Sequence, residues 1–244
     1  WNFYYSGIKK VNQLLENIDK VPAVSDSEET RKAEIIGQAY FLRAFFYHQL
    51  YSLYGRIPLV DHTFDIDSDW VETRADMDDV ADFIVKDCES AIEKLPLKYE
   101  SSDDFGRATR GAAMAVKART LLYKASPLFG EPSTEKWQEA AKASKDIIDL
   151  GVYSLPTVSS SEEYAALFYN TQNPEIIFEK LYNNKGTYGS ALHYLFQSPN
   201  GPYNGYNGWG VWLPTYDIVN AFQNEDGSKY TVKGLASYNI SLPS

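Results

Sequence analysis

The chain has 244 residues, enough for one substantial core or two small ones, and its 44% hydrophobic and 23% charged residues are those of a globular protein rather than a disordered one. A net charge of −10 argues against nucleic acid, because a phosphate backbone demands clustered Lys and Arg, and the chain shows no basic face for an anionic membrane. Aromatic residues make up 15%, with 19 Tyr and 5 Trp against 2 Met, a bias that suits recognition of flat, polar ligands.

The chain opens inside an element: Tyr5, Ile8, Val11, Leu14, Leu15 and Ile18 follow helical periodicity from the first turn, so it reads as a fragment. It carries neither a signal peptide nor an N-terminal lipid-attachment Cys. Residues 28–54 predict a long helix with two apolar stripes, Ile35, Ala39, Leu42, Phe46, Leu50, Leu53 and Ile36, Tyr40, Tyr47, Tyr51, Tyr54, and hence packing on both sides. Gly55 and Pro58 end it. This is also the longest apolar candidate for a membrane span, and Gln38, Arg43, His48 and Gln49 interrupt it.

Residues 76–95 predict a second helix with Met77, Val80, Phe83, Ile84, Cys88, Ala91, Ile92 and Leu95 inward and acidic residues on the opposite side and in the first turn, where they complement the helix dipole. The lone Cys88 on that face reads as a small buried hydrophobe. An Ala-rich helix over 109–125 allows close approach of a neighbour. Another over 134–150 starts near Ser133 or Thr134, presents Trp137, Ala140, Ala141, Ile147 and Ile148, and ends at Gly151. Successive helix hairpins of this kind predict an all-α scaffold of degenerate tetratricopeptide type with long irregular loops and a few short strands. Beyond Pro156, Ser160, Ser161 and Glu163 signal a short capped helix, Ile176, Ile177 and Phe178 a brief strand, and Pro214 through Phe222 a last helix before a turn at Asp226-Gly227. The expected organisation is one domain, incomplete at both ends, with a helical scaffold over 1–155 and a loop-rich ligand-binding region over 156–244.

Between Glu179 and Asp217 there is no carboxylate, while Tyr, Trp, Phe, Asn and Gly alternate. Aromatic faces take the C–H face of a pyranose, Asn side chains both donate and accept hydrogen bonds, and Gly allows irregular loops. The ligand-binding residues expected on this basis are Tyr203, Asn204, Tyr206, Asn207, Trp209 and Trp212, with an oligosaccharide or polysaccharide as ligand and no cofactor, catalytic residue or metal. The alternatives are burial of these aromatics in a loop-rich core, a tetratricopeptide-like scaffold for a peptide or protein, and a glycoside hydrolase. The hydrolase needs paired carboxylates about 5–10 Å apart, for which only the flanking Glu179, Asp217, Glu225 and Asp226 are at hand. His193 reads as a hydrogen-bonded loop residue, and His48 and His62 as structural. Asp65, Asp67, Asp69 and Asp76 echo a calcium loop, but Trp70 stands where its sharp turn needs Gly, so a solvated acidic loop is the better reading.

Five segments in order resemble the SusD/RagB family. Gly37, Ala39, Phe41-Leu42-Arg43-Ala44, Tyr47, Leu50, Tyr54-Gly55 and Pro58-Leu59 look like its signature helix and turn, and Arg107, Thr109, Ala112-Ala113, Ala115, Ala118-Arg119 and Leu122-Tyr123 like its second. Trp137, Ala140, Ile147-Ile148, Gly151, Tyr153 and Leu155 resemble the next helix and exit, Asn173, Glu175 and Ile177-Phe178 a short strand, and Pro214-Thr215, Ile218-Val219, Ala221-Phe222 and Asp226-Gly227 the late helix and turn. Gln38 departs from a common acidic residue, and Asn220 from Asp. The resemblance implies a non-catalytic, lipid-anchored, outer-membrane glycan-binding protein that works with a SusC-like TonB-dependent transporter in nutrient uptake. It transfers no ligand contact to a numbered position, because contacts in such proteins sit on variable loops.

Overall fold

The computed structural model describes residues 1–65, 67, 71–168, 170, 173–181 and 216–229. Residues Trp1–Lys180 form one compact unit and Leu181–Ser244 another. The first unit is a succession of helices: α1 (Asn2–Asn17), α2 (Asp26–Tyr54), α3 (Met77–Lys94), α4 (Arg110–Ala125), α5 (Thr134–Asp149) and the short α6 (Ser161–Leu167). From α1 to α5 each packs on the next, and α2 also reaches α4. The fold is all-α, and among the described residues no helix is long and apolar enough to cross a membrane.

Local chemistry places the helix ends. Ser25, Thr109, Ser133 and Ser160 each accept a hydrogen bond from the backbone N–H three residues on, satisfying a donor that the helix cannot. Glu28 and Glu163 reach back to the N–H groups of Val24 and Ser159 at 2.8 and 2.7 Å. Gly55 ends α2 at φ +65°, a conformation that strains any other residue, and a Cβ there would lie 2.9 Å from Met77 Cε.

The main core gathers Ile8 from α1, Ala44, Tyr47, Leu50 and Tyr51 from α2, and Val80, Ile84 and Cys88 from α3. Burying a side chain of Leu or Ile size stabilises by about 1.5–3 kcal/mol, so this cluster dominates the unit's stability. The two stripes of α2 are unequally buried: Tyr47 and Tyr51 of the second lie in the core with Phe41, Ala44 and His48 beside them, whereas in the first Ala39 and Leu50 are buried but Leu42 and Leu53 are 41% and 67% exposed. On α5, Ala140 and Ala143 face α4, whereas Trp137 and Ile148 are exposed. Among the described residues α5 has a helix neighbour on one side only. Residues 176–178 form no strand. Phe178 instead turns its ring edge onto Phe41 at 5.0 Å, since a β-prone run without a partner has no ladder to join.

One polar knot orders α1, α2, α3 and the loop after α2. Arg43 pairs bidentately with Asp87 at 2.7 and 2.8 Å, both side chains almost wholly buried, and its Nη1 donates to Asn12 Oδ1 at 2.9 Å. Asn12 Nδ2 donates to the carbonyls of Val60 and His62, Tyr47 bonds both backbone groups of Val60, and the Tyr5 hydroxyl donates to Pro58 O. Asp87 therefore departs from the solvent-facing role that its acidic neighbours on α3 keep: the low-dielectric interior admits it only because Arg43 matches it.

In the second unit the described residues form α7 (Tyr216–Ala221) and an antiparallel bridge between Gln223 and Lys229 around the turn at Asp226-Gly227.

Candidate functional site

Tyr203, Asn204, Tyr206, Asn207, Trp209 and Trp212 lie outside the described residues, as do His193 and Asp69. The flanking carboxylates are divided between the two units, Glu179 in the first and Asp217, Glu225 and Asp226 in the second. Asp226 accepts from the Ser228 hydroxyl and N–H at 2.6 and 2.9 Å, bonds that hold its carboxyl below the usual range and spend it on a turn. His48 is buried with Nδ1 3.0 Å from Thr120 Oγ1, and His62 is exposed beside Asp61. Asp76 pairs with Arg56 at 2.6 Å.

A cleft of about 690 Å³ opens between the loop after α3, the exit of α5 and residues 173–179. The loop is held in shape by Tyr99, whose hydroxyl donates to Ala108 O at 3.1 Å and accepts from Gln38 Nε2 at 3.2 Å, and by Asp104, which takes Arg107 at 2.5 Å and Arg31 at 3.3 Å. Tyr153 lies across the first turn of α4, where a Cβ on Gly111 would stand 2.1 Å from its hydroxyl, so only glycine admits the ring. Ser154 N–H donates to Pro174 O at 3.2 Å and fastens the third wall. Asn173, buried, donates to Leu167 O and accepts from Glu175 N–H. Phe105 and Phe178 remain 44% and 39% exposed at the cleft, and Glu179 Oε1 is buried with no hydrogen-bond partner among the described residues. The volume falls within the ~300–1,000 Å³ of small-ligand sites, and open aromatic surface beside polar side chains such as Lys98 and Glu100 suits a ligand with one apolar face and a hydroxylated rim. Sequence reasoning did not find this cleft, because its walls come from segments far apart in the chain and only Gly111 hints locally at close approach.

A second concavity of about 590 Å³ runs between α1 and α2, lined by Phe3, Leu14, Ile35, Leu42 and Phe46, and explains why Leu42 stays open.

A family profile of SusD-like proteins, described as starch-binding and associating with the outer membrane, matches residues 1–122, half of the chain. The chain belongs to the SusD-like family. A SusD-like protein of Bacteroides fragilis of known structure is 31% identical, with a TM-score of 0.78, over 95% of this chain and 42% of its own. SusD-like protein P25 of Formosa agariphila is 27% identical over 73% of this chain and 31% of its own length. A laminarin-binding SusD-like protein aligns at 25% identity over 64% of this chain and 32% of its own, with a TM-score of 0.55. This SusD-like chain spans about a third of the length of the curated relatives it matches. The profile match takes in Arg43, Asp87 and Asn12, so the polar knot lies in the segment by which the family is recognised.

Proposed function

We propose that the full-length protein is a glycan-binding lipoprotein of the outer-membrane surface that captures oligosaccharide, leaves it uncleaved and hands it to a SusC-like TonB-dependent transporter. The observation that carries this reading is membership of a family described as starch-binding and associated with the outer membrane. The carboxylate-free aromatic stretch supports it, with Tyr203, Asn204, Tyr206, Asn207, Trp209 and Trp212 as ligand contacts, since ring stacking and amide hydrogen bonds hold a neutral sugar without formal charge. Residues 1–155 act as scaffold and 156–244 as ligand-binding region of one incomplete domain.

Isothermal titration of the full-length protein against maltooligosaccharides, laminarin-derived oligosaccharides and acidic oligosaccharides tests this. Saturable binding is expected, weakened about tenfold or more, or roughly 1.4 kcal/mol, by Trp209→Ala or Trp212→Ala, with the sugar recovered intact by chromatography. Binding to none of the sugars would favour the tetratricopeptide-like docking scaffold, the reading to which the apolar groove between α1 and α2 lends support.

A further inference from the structure

Glu179 presents a chemical demand that the fold leaves unmet. Its Oε1 is buried at the cleft wall and has no hydrogen-bond donor among the described residues, although buried polar atoms are almost always paired. Several other polar groups of the walls are spent, the Tyr99 hydroxyl on Ala108 and Gln38, Thr109 on Ala112 N–H, Asn173 on Leu167 and Glu175, while Lys98 and Glu100 also line the cleft and are exposed. The open apolar area lies on Phe105, Phe178, Leu97 and Val152, each about two-fifths exposed.

A wall of open ring and aliphatic surface around one unpaired acceptor wants a ligand with an apolar face and a hydroxyl to donate. A wholly apolar ligand would leave Oε1 unpaired, and among the described residues no three carboxylate, His or Cys groups gather to hold a metal ion. We infer that this cleft is a sugar-contact site in its own right: one unit of a neutral oligosaccharide lays its C–H face over Phe105 while a ring hydroxyl donates to the Glu179 carboxylate, a small turn of the side chain bringing Oε1 to the ligand. The inference rests on the glycan-binding reading above and assigns contacts to residues other than the 203–212 stretch.

The test titrates the full-length protein, with Phe105→Ala, Glu179→Gln, Trp209→Ala and Trp212→Ala alongside, against maltoheptaose and laminariheptaose, and records thermal melting of each without sugar. Both cleft substitutions are expected to weaken binding about tenfold. Glu179→Gln, near-isosteric, is expected to melt near the native temperature because no hydrogen bond to Oε1 among the described residues is lost; a merely structural Glu179 would lower melting and leave affinity alone. Native affinity in both cleft variants, with binding lost in Trp209→Ala or Trp212→Ala, overturns the cleft and leaves the glycan-binding reading standing. No binding of either sugar by the native protein overturns both.

Discussion

His48 sits among packed aromatic and aliphatic side chains of α2 and α4, its ring 5.6 Å from that of Tyr123 and its Nδ1 3.0 Å from Thr120 Oγ1. Thr120 donates its own proton to Val116 O, so the imidazole N–H donates to Thr120, which sets the neutral tautomer. Burial, helped by the Arg119 charge, lowers the imidazolium pKa from 6.5 to about 4. The unfolded chain takes up this proton near pH 6.5 and the folded chain only near 4. Between those values the unfolded state binds more protons, so stability falls as the pH drops through the window, and about 3 kcal/mol is lost by its lower edge. Urea unfolding from pH 7 to 4 is expected to show that loss in the native protein and a much shallower one in His48→Gln, the difference isolating this group. A structural role for this histidine was legible in the sequence; its partner on α4 was not.

The helices are joined by the Arg43 knot as well as by apolar packing. Arg43 touches α1 through Asn12, α3 through Asp87 and the loop after α2 through Asp61 O, and its guanidinium lies over the Phe83 ring at 5.1 Å. Removing one partner strands a buried charge, so Asp87→Ala is expected to cost about 3–5 kcal/mol. The double change Arg43→Met, Asp87→Leu is expected to recover much of it, because two apolar side chains carry no desolvation cost, though Asn12 would keep an unpaired oxygen. Chemical denaturation of the two variants measures both, and a double variant no more stable than the single one would show that the knot positions the loop rather than offsetting its own charges. At the same scale, lysines of α4 and α5 reach carboxylates of α3, Lys117 to Glu89 at 2.7 Å and Lys136 to Asp78 at 3.0 Å, exposed pairs worth about 0–1 kcal/mol each.

At the scale of the whole chain the decisive quantity is its net charge of −10. A field of that sign repels uronic-acid and sulfated polymers and is indifferent to neutral ones, and salt screens it with a Debye length of about 10 Å at 0.1 M. Affinity for a neutral oligosaccharide is therefore expected to stay constant from 0.05 to 0.5 M NaCl, whereas any weak binding of an acidic one strengthens with salt. Affinity electrophoresis in gels of either polymer across that range measures it. A neutral ligand whose binding weakened steeply with salt would point instead to charge-driven docking, and so to the protein-scaffold reading.

The sequence by itself determined the helix register, the caps at Ser133 and Ser160, the stops at Gly55 and Gly151 and the burial of Cys88, because each follows from a few neighbouring residues and the backbone geometry that they allow. It also carried the family, since the signature segments occur in order. Only the tertiary structure decided that the second stripe of α2 is buried more fully than the first, that Asp87 turns inward to Arg43, that Phe178 docks on an aromatic cluster instead of pairing as a strand, and that Glu179, Phe105 and Tyr153 share one cleft. Those outcomes depend on partners dozens of residues away, and periodicity reports how a helix faces its surroundings without saying which side chains are waiting there.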